Sequence, residues 1–107
     1  MPTMTRGHET ESLQQRIDFN SNALALLLFG ERNAHLQLLA EALDVKIDAR
    51  GASVFIRGDD ALATGLAENI LNQLYELIKA GYPVYNSDVE YALRILSADD
   101  RTRLKDI

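Results

Sequence analysis

The sequence predicts an α+β fold in two layers, a three-stranded sheet with helices on one face, and three observations carry that expectation. Leu13–Phe19 and the run VKIDARGASVFIRG, residues 45–58, alternate apolar and polar residues with the period of a strand. Leu62, Leu66, Ile70, Leu74 and Ile78 recur every four residues, the mark of one long helix. Three strands are too few to bury both faces of a sheet, so the helices pack on one face and leave the other open.

The elements follow in order. Residues 1–12 are polar and are expected to form a disordered tail. In the first strand Leu13, Ile17 and Phe19 share one side, with Gln14, Arg16 and Asp18 opposite. Asn20-Ser21-Asn22 offers three N-cap residues to a short helix, Ala23–Phe29. That helix is apolar all round, which predicts that it is mostly buried. It stops at Gly30, and Asn33 can cap a second helix, Ala34–Leu43, whose Leu36, Leu39, Ala40 and Leu43 share a face. Val45, Ile47 and Ala49 then alternate with Lys46, Asp48 and Arg50. After Gly51-Ala52, Val54 and Ile56 alternate with Phe55 and Arg57, which reads as a β-hairpin. The long helix runs from Asp59/Asp60 to about Ala80, where Gly81 and Pro83 end it. Ser87-Asp88-Val89-Glu90 reads as a capping box for a last helix that buries Val89, Ala92, Leu93 and Leu96. The order is β-α-α-β-β-α plus an extra C-terminal helix. Residues 13–97 form the domain, and the polar stretch 98–107 reads as a linker.

Composition narrows the function. With 107 residues, 47% of them hydrophobic, the chain holds one domain. It has no Cys, which excludes a disulfide framework and a thiolate zinc site and fits a reducing compartment. The longest unbroken apolar run, Ala23–Phe29, is far short of the roughly 20 residues that span a bilayer. No leader-like apolar stretch opens the sequence, and a soluble, cytoplasmic protein without membrane contact is expected. Net charge is −5, the wrong sign for strong, nonspecific phosphate binding, so any nucleic-acid contact must use a local basic patch.

The most unusual stretch is LLLFGERNAHLQLL, residues 26–39, where an apolar helical run is cut by Gly30-Glu31-Arg32-Asn33 and then resumes. Gly inside a helix costs about 1 kcal/mol relative to Ala. The break is either an ordinary helix corner or a bare, tight loop that something approaches. His35 stands near the start of the second helix, as a cap, a surface residue or a phosphate donor, without a partner at metal-ligand spacing. Lys46, Arg50 and Arg57 would add a basic strip to such a loop, although the alternation Lys46-Asp48-Arg50 is also that of a solvated strand face. Tyr75, Tyr82, Tyr85 and Tyr91 cluster late in the chain and are expected to pack the last helix on the long one, or to mark an interface. No nucleophile or acid–base pair forms a catalytic motif, so no enzyme activity is expected of this chain.

The element order, with a short Gly-led loop between the first two helices, resembles the KH domain of the type common in eukaryotes. In KH domains a GXXG loop clamps the nucleic-acid backbone. Gly30-Glu31-Arg32-Asn33 stands in that position, with Asn33 in place of the second Gly. Asn is the residue that most readily accepts the same backbone conformation. Glu31 would oppose a phosphate and Arg32 would favour it. A narrower resemblance covers residues 25–96: FGERNAHLQLLAEALDVKIDARGASVFIRGDDA, then NILNQLYELIKAGYPV and SDVEYALRIL, resemble the N-terminal domain of the PhoH-like family. Its members carry "FG" plus a small polar loop, "ARG" in the hairpin, "GD" before the long helix and a "DV-x-x-A" helix after "KGYP", here Lys79-Ala80-Gly81-Tyr82-Pro83. His35 stands where many members have Asn.

The resemblance implies more than these residues hold. PhoH-like proteins continue into a P-loop ATPase domain and are linked to phosphate starvation and RNA metabolism. A Walker A loop needs a Gly-Lys pair, and none occurs here. ATP and Mg are therefore expected only in an ATPase domain absent from this chain, which reads as a truncated piece of a longer protein with no cofactor of its own. The expected role is to recruit or orient single-stranded RNA for that domain, weakly and with strong salt dependence. Gly30, Arg32, Asn33, His35, Lys46 and Arg50 are the candidate nucleic-acid-binding residues. The alternative is a protein-interaction or oligomerisation module that docks on the ATPase domain or a neighbouring subunit, or forms a homo-oligomer.

Overall fold

The computed structural model describes residues 13–106, and the tail expected at 1–12 lies outside the described residues. Strand β1 (Leu13–Asp18) leads to helix α1 (Asn22–Phe29) and, after a turn, helix α2 (Ala34–Leu43). The hairpin β2 (Lys46–Arg50) and β3 (Ser53–Gly58) follows, then α3 (Ala61–Lys79), α4 (Asn86–Ala98) and a short 3-10 turn, Leu104–Asp106. The strands form one antiparallel sheet in the order β1-β3-β2, so the last strand sits in the middle. This is the expected α+β, two-layer architecture with the extra C-terminal helix.

Strand alternation decides which side chains meet the helices. Val54 and Ile56 of β3 are fully buried, with Ile17, Phe19 and Val45 beside them. Their neighbours along each strand point to the open face. The helical layer adds Leu28, Phe29, Leu36, Leu39, Ile70, Leu71, Leu74, Val89, Ala92 and Leu96, all nearly inaccessible. Phe19 joins the layers through its ring, whose centroid lies 4.5 Å from that of Tyr75 and 6.3 Å from that of Phe29.

Local chemistry explains the boundaries. Ser21 caps α1, its hydroxyl accepting from the Leu24 N–H at 3.2 Å. Asp60 caps α3, its carboxylate accepting from the Leu62 N–H at 2.9 Å. The end of α3 is a Schellman motif: Tyr82 N–H donates to the Leu77 carbonyl and Gly81 N–H to the Ile78 carbonyl, both at 3.0 Å, with Gly81 at φ 100°.

Four expectations need correction. First, α1 is not mostly buried: Leu26 and Leu27 are 64% and 60% exposed. An eight-residue helix at the edge of a two-layer domain has only one inner side, and Ala25, Leu28 and Phe29 occupy it. Second, Leu62 is exposed, and the buried face of α3 runs through Thr64, Ala67, Ile70, Leu71, Leu74, Tyr75 and Ile78. A strict four-residue repeat advances about 40° per step on a helix of 3.6 residues per turn, so five such positions drift off one face. Third, α4 starts at Asn86, with Tyr85 as N-cap. The Asp88 carboxylate, rather than Glu90, reaches back to accept from the Tyr85 N–H at 2.8 Å. Fourth, Tyr75 packs against Phe19 rather than joining α4 to α3, and its hydroxyl accepts from the Ser21 N–H at 3.2 Å. Tyr82 and Tyr85 stand in the open, 62% and 63% exposed.

The stretch after α4 lies back along α3. Asn69 Nδ2 donates to the Asp100 carbonyl, Gln73 Nε2 to the Thr102 carbonyl, and the Leu104 N–H to Gln73 Oε1 at 2.7 Å. Leu104 is buried at the end of this run.

Candidate nucleic-acid interface

The break between α1 and α2 is built around one glycine. Gly30 adopts φ 81° and ψ 169°, a region that residues with a Cβ avoid. Its N–H donates to the Leu26 carbonyl at 3.2 Å and closes α1. The His35 ring occupies the space where a side chain would start. A Cβ at position 30 would lie 2.8 Å from His35 Cγ and 2.9 Å from its Cδ2 and Nδ1.

After Gly30 the chain turns left-handed. Arg32 (φ 56°, ψ 31°) and Asn33 (φ 59°, ψ 31°) are two successive αL residues, and the Ala34 N–H returns to the Glu31 carbonyl. This is close to a type I′ turn, in which both central residues need positive φ. The Asn33 N–H donates to the Gly30 carbonyl at 3.0 Å and ties the turn to the glycine. Asn33 was expected to cap α2 with its side chain. It makes no such bond and serves through its tolerance of the αL region instead. Arg32 has less of that tolerance, so its conformation carries roughly 1–2 kcal/mol of strain. Glu31, Arg32 and Asn33 are all exposed, and Arg32 makes no ion pair among the described residues.

His35 is not the surface or cap residue expected. It is 6% exposed, and its Nδ1 lies 2.8 Å from the Leu28 carbonyl. A carbonyl only accepts, so Nδ1 carries the proton and donates. The imidazole thus satisfies one of the last carbonyls of α1 and holds Gly30 from the other side. Its direct role is to fix the turn, and its burial leaves it poorly placed to meet a ligand.

Lys46 and Arg50 do not share the depression at this turn. That depression is lined by Leu26, Leu27, Gly30, Glu31, Ala34, His35, Val84, Tyr85 and Asn86. Lys46 lines another with Arg57, Asp44 and Asp59, and Arg50 a third with Phe55 and Arg57. Both cations project from the open face of the sheet. The single groove expected for turn and basic strip is therefore divided, because β2 alternation turns Lys46 and Arg50 away from the helical layer.

Sequence reasoning missed the apolar surroundings of the turn. Leu26, Leu27, Tyr82 and Tyr85 are large, exposed side chains around adjoining depressions that share Leu27, Val84 and Tyr85. The signal was present, since a short helix whose seven residues Ala23–Phe29 are all apolar must expose some of its leucines.

The remaining chemistry is sparse. Among the described residues no three His, Asp or Glu side chains gather as a metal site requires. The Asp18 carboxyl is held below its ordinary value by the Ser53 hydroxyl and then by Arg16, whose Nε lies 2.9 Å from it. Among the described residues no helix is long and apolar enough to cross a membrane.

No family model matches the chain, and no solved structure matches it. A curated relative does: a PhoH-like protein of Bacillus subtilis (strain 168) is 32% identical over 76 residues, 71% of this chain. The aligned region is 24% of that relative, so the chain spans about a quarter of the length of the protein it matches. The chain is a relative of the PhoH-like proteins, and its span is consistent with an N-terminal domain of that family.

Proposed function

We propose that the chain is the RNA-binding module of a cytoplasmic PhoH-like protein, holding the backbone of a single strand at the Gly30–Asn33 turn. In that role it recruits or orients RNA for the ATP-hydrolysing domain of the longer protein. One observation carries the reading: an exposed arginine, without an ion pair among the described residues, is kept in a strained left-handed conformation at the tip of a turn that Gly30 and His35 make rigid. Strain of this kind persists where the surroundings over-determine it, and it concentrates at ligand sites. Arg32 supplies a guanidinium for phosphate, and Gly30 allows close approach. Glu31 opposes the contact, so binding is weak, and its phosphate contact makes it fall as salt rises. The test is the affinity of the chain for a labelled single-stranded RNA, with Arg32→Glu as the variant. An affinity loss of about ten-fold or more supports the reading, and an unchanged affinity in a chain that binds removes it.

The exposed leucines and tyrosines beside the turn favour a second reading, a docking module for another domain or subunit. Sedimentation of the chain, alone and with Leu27→Lys, separates the two. A dimer that Leu27→Lys dissolves, in a chain without RNA affinity, supports docking.

A further inference from the structure

We infer that the open face of the sheet is a second strand-binding surface, distinct from the turn, on which a base of single-stranded nucleic acid stacks at Phe55. The register arranges nine outward positions in three rows across β1, β3 and β2: Gln14-Arg57-Lys46, Arg16-Phe55-Asp48 and Asp18-Ser53-Arg50. Phe55 is at the centre, half-buried, with basic side chains in every row. This face holds four of the chain's 11 basic residues but only two of its 16 acidic ones, in a chain of net charge −5. Both acids are engaged: Asp18 with Arg16 at 2.9 Å and Asp48 with Arg57 at 3.7 Å. Lys46 and Arg50 make no ion pair among the described residues.

An aromatic ring set among cations on a sheet matches what a single strand offers, flat bases joined by phosphates. The Arg16 guanidinium lies 5.3 Å from the centroid of Phe55, and guanidinium planes stack on bases as aromatic rings do. A base at Phe55 extends that stack, and its flanking phosphates fall to Lys46, Arg50 and Arg57. A shallow depression lined by Gln14, Asp48, Ala49, Arg50, Phe55 and Arg57 marks the place, its one acid being the Asp48 already paired with Arg57. The open face carries a complementary charge that the acidic remainder of the molecule lacks, which argues for this occupant over a surface of mixed charge.

The experiment is fluorescence anisotropy of labelled octauridylate with the 107-residue chain at several salt concentrations. Two variants address the face: Phe55→Leu, which keeps an apolar residue in the central strand, and the exposed pair Lys46→Gln/Arg50→Gln, which alters no ion pair among the described residues. Phe55→Leu is expected to weaken binding roughly five-fold or more, as loss of a base stack does. The pair is expected to flatten the logarithmic salt slope by about 1.4, at about 0.7 for each phosphate contact to a single strand. If both variants bind as the parent does while Arg32→Glu does not, the sheet site is overturned and the turn stands. If the face variants lose affinity and Arg32→Glu does not, the sheet site stands without the turn. Polyglutamate that competes equally with the RNA, with no effect of Phe55→Leu, overturns stacking in favour of an acidic protein partner. No binding of octauridylate by the parent chain overturns both sites.

Discussion

The imidazole of His35 lies so close to the backbone of Gly30 that a single added carbon at position 30 would sit 2.8 Å from the ring. This contact joins the end of α1 to the start of α2 and sets the turn between them. It also answers why an apolar helical run is broken at Gly-Glu-Arg-Asn: the break is a packed junction in which one residue must be glycine.

Replacing that glycine is therefore costly. Gly30→Ala meets both an unfavourable backbone region and the His35 ring, 2.8 Å from the added carbon, which must shift. The expected loss is about 2–5 kcal/mol, from backbone strain and overpacking together. Urea denaturation measures it, and a loss under about 0.5 kcal/mol would mean that the junction is looser than described.

His35 contributes through a hydrogen bond as well as through packing. His35→Leu leaves the Leu28 carbonyl without its 2.8 Å donor, and an unsatisfied buried acceptor costs about 1–3 kcal/mol. His35→Asn keeps an N–H donor and is expected to lose less. Equal losses in thermal unfolding would show that the ring matters only as filler.

Arg32 allows strain and function to be separated. Arg32→Gly relieves roughly 1–2 kcal/mol of left-handed strain. Glycine's greater freedom in the unfolded chain returns about 0.5–1 kcal/mol of that. A net gain of up to about 1.5 kcal/mol is expected, together with weaker RNA binding. A variant that is less stable than the parent would contradict the backbone assignment.

Acid affects the edge of the sheet. Asp18 is held below its ordinary value of 3.8 by Ser53 and Arg16, so the folded state binds its proton less readily than the unfolded chain does. The stabilisation is full above the unfolded value and is lost as pH falls through the folded one. Carboxyl NMR titration should place Asp18 below its ordinary value, and Ser53→Ala should move it upward. No movement in Ser53→Ala would assign the shift to Arg16 alone.

The strands were legible because a period of two leaves little choice: Val54 and Ile56 must face one way and Phe55 and Arg57 the other. The helices were legible in extent but less so in facing. Leu62 belongs to a four-residue repeat and still lies in solvent, since only the packed layers decide where a drifting stripe ends. In the same way, Leu26 and Leu27 match their buried neighbours in type and differ only in the side of α1 they occupy. The turn was found by its glycine, and Asn33 by its tolerance of positive φ. His35 was misread because its partner is the carbonyl of Leu28, seven residues earlier, and nothing in local spacing marks a side-chain-to-backbone bond of that kind. Lys46 and Arg50 were read both as a basic strip beside the turn and as a solvated strand face, and strand alternation sends them to the open face.

An amide-shift NMR titration of the 107-residue chain with a short single-stranded RNA at low salt tests the central claim most directly. Shifts concentrated at Gly30–Asn33, saturating with RNA and fading as salt rises, are expected of a turn that holds a nucleic-acid backbone. Unmoved amides at Gly30–Asn33 at high RNA concentration would contradict it, and would leave the Gly30–His35 junction as a rigid corner that serves packing alone.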